Sequence, residues 1–222
     1  MIRVTSLTKE YRDGDRAIKP LEGVDFSCKK GEFILITGRS GSGKTTFLNV
    51  LGGLTRPTSG TVMVDGMDLY AMTDAQRAAV RSATTGFVFQ FPGLLSPLTA
   101  LENVILPVVL QGHAANMTGR GHDLLIRMGL ENKAGSLPST LSGGELKRVA
   151  IARALISNPR LILADEPTAD LDEETEREVM ELFREIHASG TTIIMVTHNR
   201  ELAPYASRVM RMDQGTLAEP QD

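Results

Sequence analysis

The sequence predicts an α/β fold, and three observations predict it. A short apolar run, Phe33 to Thr37, leads straight into Gly38-Arg39-Ser40-Gly41-Ser42-Gly43-Lys44-Thr45 and then into an apolar-faced helix. A second apolar run, Leu161-Ile162-Leu163-Ala164, ends in two adjacent acids, Asp165 and Glu166. Between them, from Phe91 to about Leu155, the signals are mostly helical, so the helices form an insert carried by the α/β core.

The elements follow in order. Ile2 to Leu7, Leu21 to Cys28 and Phe33 to Thr37 read as strands, and Thr45 to Leu51 as a helix whose apolar residues can face a sheet. Arg56 to Gly60 is a turn, Thr61 to Val64 a strand, and Asp65-Gly66 a reversal. Thr73 and Gln76 have capping-box spacing, as do Thr99 and Glu102 ahead of a helix that Pro107 is expected to kink or end. Gly86 to Gln90 is a strand candidate, and His122 to Met128 and Glu145 to Leu155 are further helices. Strands return at Leu161 to Asp165 and Thr191 to Thr197, with a helix of roughly 16 residues between them. Asp172 caps that helix, Glu173 and Glu174 suit its positive end, and Val179, Leu182, Phe183 and Ile186 share one face. Asp213-Gln214-Gly215 reverses the chain between two short strands.

At 222 residues the chain is long enough for a substantial core and short for two independent domains. A net charge of −3 gives no global field favouring nucleic acid, and no nucleic-acid partner is expected. Cys28 is the only cysteine, which excludes an internal disulfide and a thiolate metal cluster. The four histidines have no metal-ligand spacing, and Cys28 reads as an inert strand residue. No apolar stretch is long enough to cross a bilayer and the N-terminus lacks a signal-peptide core, so the expectation is a cytoplasmic chain that reaches a membrane only by docking.

Gly38-x-x-x-x-Gly43-Lys44-Thr45 meets the full phosphate-loop pattern in its required context of strand, glycine loop and helix. Glycines let successive backbone N–H groups converge on a phosphate, and the helix start aims its positive end there. Lys44 is expected to bridge the β- and γ-phosphates of ATP and the Thr45 hydroxyl to hold Mg²⁺. A plain structural turn would explain neither the lysine nor the hydroxyl. Asp165 is placed to hold Mg²⁺ through water, and Glu166 to orient or deprotonate the attacking water. Gln90, at the end of its strand, is expected to contact Mg²⁺ or its water and to report nucleotide state to the insert. His198 follows the strand Ile193 to Thr197 and is expected to steady the γ-phosphate and the water. Tyr11, in an early loop, has two readings: stacking on adenine, or packing on a sheet edge.

Leu141-Ser142-Gly143-Gly144-Glu145 is a second glycine-softened helix start, with Ser142 and Glu145 at capping-box spacing. It is either an ordinary capped helix or an anion site. As an anion site it makes most sense serving the nucleotide of a partner copy, with ATP sandwiched at a two-fold interface.

These motifs together resemble the ATP-binding subunits of ABC transporters over essentially the whole chain. Gly38 to Thr45 looks like the Walker A loop, with Thr46 directly after it. Leu161 to Asp165 looks like Walker B with Glu166 as catalytic glutamate, Leu141 to Glu145 like the signature, Gln90 like the Q-loop and His198 like the switch histidine. Ala169-Asp170-Leu171-Asp172 resembles the interface-crossing D-loop, and Tyr11 the adenine-stacking aromatic. The resemblance implies a P-loop NTPase core of ABC ATPase type with an antiparallel β subdomain and an inserted helical subdomain. It also implies one domain over 1–222, with 1–90 and 156–222 as nucleotide-binding core and 91–155 as helical subdomain.

More narrowly, Gly86 to Phe91 followed by Leu94-Leu95 and Leu98 to Pro107 looks like the lipoprotein-releasing and macrolide-export group, a close relative of the cell-division ATPase. Lys147, where glutamine is common, and Asp170, where lipoprotein-releasing members often carry asparagine, depart from that group. The implied partners are a second copy of the chain and integral membrane permease-type subunits docking at the helical subdomain. The implied location is peripheral, on the cytoplasmic side of the inner membrane. The competing readings are a regulatory ATPase of cell-division type and a soluble ABC ATPase acting on DNA or ribosomes. The absence of zinc-module cysteines and of a second ATPase domain weighs against the soluble reading.

Overall fold

A computed structural model describes residues 1–14, 16–112 and 117–219. The chain opens with two long paired strands, β1 (Ile2–Asp13) and β2 (Arg16–Cys28), followed by β3 (Phe33–Thr37) and α1 (Lys44–Leu51). Next come β4 (Ser59–Val64), β5 (Met67–Asp68), α2 (Asp74–Thr84) and β6 (Thr85–Val88). The helical stretch holds α3 (Ala100–Val109), α4 (Met117–Arg127) and α5 (Gly143–Leu155). Residues 113–116 of the expected helical insert lie outside the described residues. The chain closes with β7 (Leu161–Asp165), α6 (Glu173–Ala188), β8 (Thr192–Thr197), β9 (Arg208–Asp213) and β10 (Thr216–Ala218).

Two sheets result. An antiparallel one has the order β2-β1-β4-β5. A six-stranded one has the order β10-β9-β3-β8-β7-β6, parallel except for the edge hairpin of β9 and β10. The central strands are apolar almost throughout because both of their faces are covered. Alternate residues divide the core in two. Ile34, Ile36, Leu161, Leu163, Ile194 and Val196 pack with α1 and the antiparallel sheet, burying Phe47 and Leu51. Phe33, Leu35, Ile162, Ala164, Ile193 and Met195 face the opposite way, onto α5, α6 and the rest of the helical layer.

Capping boxes fix three helix starts, at Thr73–Gln76, Thr99–Glu102 and Ser142–Glu145, and Asp172 caps α6 through the Thr175 amide. Several boundaries differ from the sequence expectation. Pro107 does not end α3, which runs to Val109: the ring forfeits one helical bond, and the Leu110 amide still donates to the Leu106 carbonyl beyond it. The Gly86–Gln90 strand is Thr85–Val88, and α4 starts five residues before His122. Leu182 is only half-buried, while Met180 fills the core with Val179, Phe183 and Ile186. Cys28 is buried, and burial pushes its thiol up to about 12. Among the described residues no helix is long and apolar enough to cross a membrane.

Candidate functional site

The loop after β3 is built around its glycines. A Cβ on Gly43 (φ 108°) would lie 2.1 Å from the Pro20 carbonyl oxygen, and one on Gly38 2.4 Å from that of Met212. No larger residue fits either position. Gly43 stands at the N-cap of α1 with no side chain bonding the helix amides, so that helix start remains open to an anion. Lys44 is buried and curls back over the loop, donating to the carbonyls of Gly38 (2.8 Å) and Arg39 (3.1 Å). Arg39, Ser40, Gly41 and Thr45 are exposed, Thr46 is half-buried, and the Ser42 hydroxyl is buried without a hydrogen-bond partner.

β7 delivers the two acids to the same place. Asp165 and Glu166 are each 9% exposed. Burial raises the Asp165 carboxyl above its ordinary value, opposed by the Thr45 hydroxyl, and its Oδ1 has no hydrogen-bond partner. Glu166 turns sharply off the strand at φ 45°, its amide donating to the Val196 carbonyl at 2.9 Å. Its Oε1 lies 3.6 Å from Lys44 Nζ, and its Oε2 lies 3.0 Å from His198 Nδ1 while accepting from the His198 amide at 3.2 Å. His198 follows β8, which pairs with β7, so the histidine meets the glutamate on the side away from Lys44.

Ser40, Gly41, Gly43 to Thr46, Glu166 and His198 line a cleft of about 620 Å³ together with Tyr11, Gln90, Ile18 and Pro20. Tyr11 lies in β1 rather than in a loop, opposite Ile18 of β2, and its ring is 45% exposed on the cleft wall with the Lys9 ammonium 4.7 Å from its centre. Ile18 and Pro20 have no local signal in the sequence: they reach the cleft only because β2 pairs with β1. Gln90 lies beyond the end of β6, with its side chain exposed and its carbonyl accepting from Lys147.

Ser142, Gly143 and Gly144 open α5 and are absent from the lining of this cleft. Ser142 Oγ accepts from the Glu145 amide at 3.3 Å, and Glu145 accepts from the Ser142 amide at 2.8 Å. That amide bond, with Lys133 at 3.1 Å, holds the Glu145 carboxyl below the usual range. Asp170, in the left-handed region at φ 65°, lines an adjoining cleft of about 550 Å³ with Gln90, Glu166 and His198.

The residues fit a magnesium nucleotide. Gly38 and Gly43 let the loop backbone lie against the carbonyls of Met212 and Pro20, closer than any Cβ allows, and Lys44 supplies a cation at the floor of the cleft. The unpartnered Asp165 oxygen beside the Thr45 hydroxyl is a donor set of the hard-oxygen kind that Mg²⁺ takes, usually one or two protein ligands completed by water and phosphate. Among the described residues no three His, Cys, Asp or Glu converge on a metal position.

Comparison with known proteins agrees with this geometry. Residues 21–169 match the family described as ABC transporter. The lipoprotein-releasing system ATP-binding protein LolD of Shewanella oneidensis is 43% identical, the match covering 100% of this chain and 97% of that protein. Its counterpart in Xanthomonas euvesicatoria is 45% identical over 99% of this chain and 91% of that protein. The macrolide export ATP-binding/permease protein MacB of Rhodopirellula baltica is 44% identical over 99% of this chain, which matches 33% of that longer protein. A dimeric ATP-binding cassette solved in a post-hydrolysis state bound to ADP and Pi superposes with a TM-score of 0.92 at 37% identity, covering both chains fully. The chain belongs to the ABC transporter family and is one of its ATP-binding subunits.

Proposed function

We propose that two copies of this chain close around two ATP molecules, hydrolyse them, and pass the resulting motion to membrane permease-type subunits that release lipoproteins or export other hydrophobic cargo. The single observation that carries the chemistry is the Glu166 carboxylate, held between Lys44 and His198 on the floor of the cleft.

Each residue has a role in this reading. The amides of Gly38 to Thr46, with Arg39, Ser40, Gly41 and Ser42 forming the turn, hold the phosphates, and Lys44 leaves its loop carbonyls to neutralise them. Tyr11 offers its exposed face to adenine. Thr45, Asp165 and Gln90 hold Mg²⁺, which when bound offsets charge on the phosphate oxygens. Glu166 orients and deprotonates the attacking water, and His198 fixes the carboxylate and the water by hydrogen bonds. Ser142, Gly143, Gly144 and Asp170 serve the nucleotide of the partner copy, a division of labour supported by their lying outside the cleft of their own chain. The dimer resembles in kind the dimeric cassette above, and the cargo class follows the names of the LolD and MacB relatives.

In this reading the chain is one domain, with residues 1–90 and 156–222 as core and 91–155 as the helical subdomain that meets the permease. It sits peripherally on the cytoplasmic face of the inner membrane.

The test is capture of Glu166→Gln protein with ATP from detergent-solubilised membranes of its own source. A stoichiometric membrane protein with a large extracytoplasmic region is the expected result. Recovery of only ribosomal or DNA-associated proteins would overturn the transport reading. Lys44→Ala, read by nucleotide titration, should weaken ATP binding by about tenfold to a hundredfold, the loss of a charge-assisted contact.

A further inference from the structure

Two cations on α5 reach across to the chain segment that carries Gln90. Lys147 is 5% exposed, and its Nζ donates to the Gln90 carbonyl. Farther along the same helix, half-buried Arg153 donates through Nη2 to the Pro92 carbonyl at 2.5 Å and through Nη1 to the Gly93 carbonyl at 2.8 Å. Three main-chain acceptors within residues 90–93 are thus held by two side chains of one helix, from far along the chain.

The arrangement is costly enough to be informative. Burial disfavours the charged form of both side chains, and on Lys147 it is opposed by the carboxylates of Asp170, Asp165 and Glu166. Buried cations persist where hydrogen bonds and opposite charges compensate them, and here the compensation comes from the Gln90 segment and the acidic floor of the cleft. What the two cations leave free matters as much. The Gln90 side chain is exposed and Phe91 is 76% exposed, so only the backbone of the segment is fastened. The helix that fastens it is the one Ser142 caps.

We propose that Lys147 and Arg153 are positioning residues that clamp the backbone of residues 90–93 to α5, so that Gln90 and the Ser142 helix start move as one body. The proposal rests on the reading above of both as nucleotide-responsive elements. A displacement of Gln90 is then delivered through Lys147 to the Ser142 start of the same helix, five residues away, instead of being absorbed by a slack loop.

Hydrogen exchange of the full-length, nucleotide-free chain tests the clamp. In Lys147→Met the peptide spanning residues 86–95 should exchange about tenfold faster, while peptides of β3 and β8 stay within about twofold of the parent. Lys147→Arg should restore protection. In steady-state assays Lys147→Met should lower kcat while KM for ATP stays within about twofold. Unchanged exchange of 86–95 in Lys147→Met overturns the proposal, and so does equal acceleration across the whole chain. If Lys147→Met does not fold, Arg153→Lys, which keeps the charge and loses the fork, should still speed exchange of 86–95, and no change there overturns the clamp. Because the exchange is read without nucleotide, a parent chain that fails to turn over ATP would strike the proposed function alone and leave the clamp standing or falling on its own measurement.

Discussion

Oε2 of Glu166 lies 3.0 Å from Nδ1 of His198, while the other oxygen of the same carboxylate faces Lys44 at 3.6 Å. Both carboxylate oxygens of the glutamate are therefore held, one by the first residue of α1 and the other by the residue that follows β8. Glu166→Gln keeps the shape and removes the base. Phosphate release should fall by about 10²–10⁴-fold while nucleotide affinity is retained. Light scattering with ATP should then find a dimer, since a chain that binds and does not hydrolyse stays closed. Normal turnover in this variant would remove Glu166 from the role.

Asp165 should leave a signature in the pH dependence of stability. Burial holds its carboxyl above the ordinary value, so the folded chain binds that proton more tightly than the unfolded chain. The unfavourable contribution is absent below the ordinary value and grows as pH rises through the raised one. In protein free of metal and nucleotide, Asp165→Asn should raise the melting temperature at neutral pH and lose that advantage in acid. A difference in Tm that does not vary with pH would show that the carboxyl titrates alike in both states.

Gly144 marks where α5 and α6 touch. A Cβ there would come 2.5 Å from the Thr175 Cγ2, and Thr175 is anchored by Asp172 through its hydroxyl at 2.7 Å. Gly144→Ala should destabilise by about 1–3 kcal/mol in urea titration, the usual cost of overpacking. Thr175→Ser removes the offending methyl and keeps the hydroxyl, so the double variant should recover most of the loss. Additive effects of the two substitutions would refute the contact.

Asn103 is wholly buried at the start of the helical layer. Its Nδ2 donates to the carbonyls of Leu98 and Thr99 at 2.9 Å and of Leu95 at 3.1 Å, and its Oδ1 accepts from the Leu95 amide at 2.7 Å. Asn103→Ala strands these backbone groups and should cost about 2–4 kcal/mol, the range expected when several buried polar groups lose partners. Denaturant titration that finds less than about 0.5 kcal/mol, a surface-like effect, would contradict this role.

What the sequence disclosed and what it withheld divide along physical lines. Periodicity revealed the buried parallel strands because β3, β7 and β8 are apolar on both faces, and capping spacings revealed where α2, α3 and α5 begin. Lys9, Glu10 and Arg12 make the sequence around Tyr11 look like a solvated loop, whereas β1 continues through it by pairing with β2. The apolar pattern before Gln90 outruns its strand because Phe89, though apolar, is 40% exposed and stacks on Phe87 beyond the end of the ladder. Ile18 and Pro20 as cleft walls, and Lys147 as a ligand for the Gln90 carbonyl, depend on contacts between distant parts of the chain. No local pattern carries them.

The order of the large sheet has a consequence for the growing chain. β3, the strand that presents the phosphate loop, pairs only with β8 and β9, both among the last strands made. A nascent chain ending before Thr192 therefore holds β3 without either neighbour, and the loop it carries has no fixed floor. At ordinary rates of synthesis that interval lasts on the order of ten seconds. In that interval α1 and the antiparallel sheet, whose β1–β4 pairing is complete by Val64, are the elements already made that pack on the same face of β3. The phosphate loop thus gains its supporting sheet only when the last strands of the chain emerge.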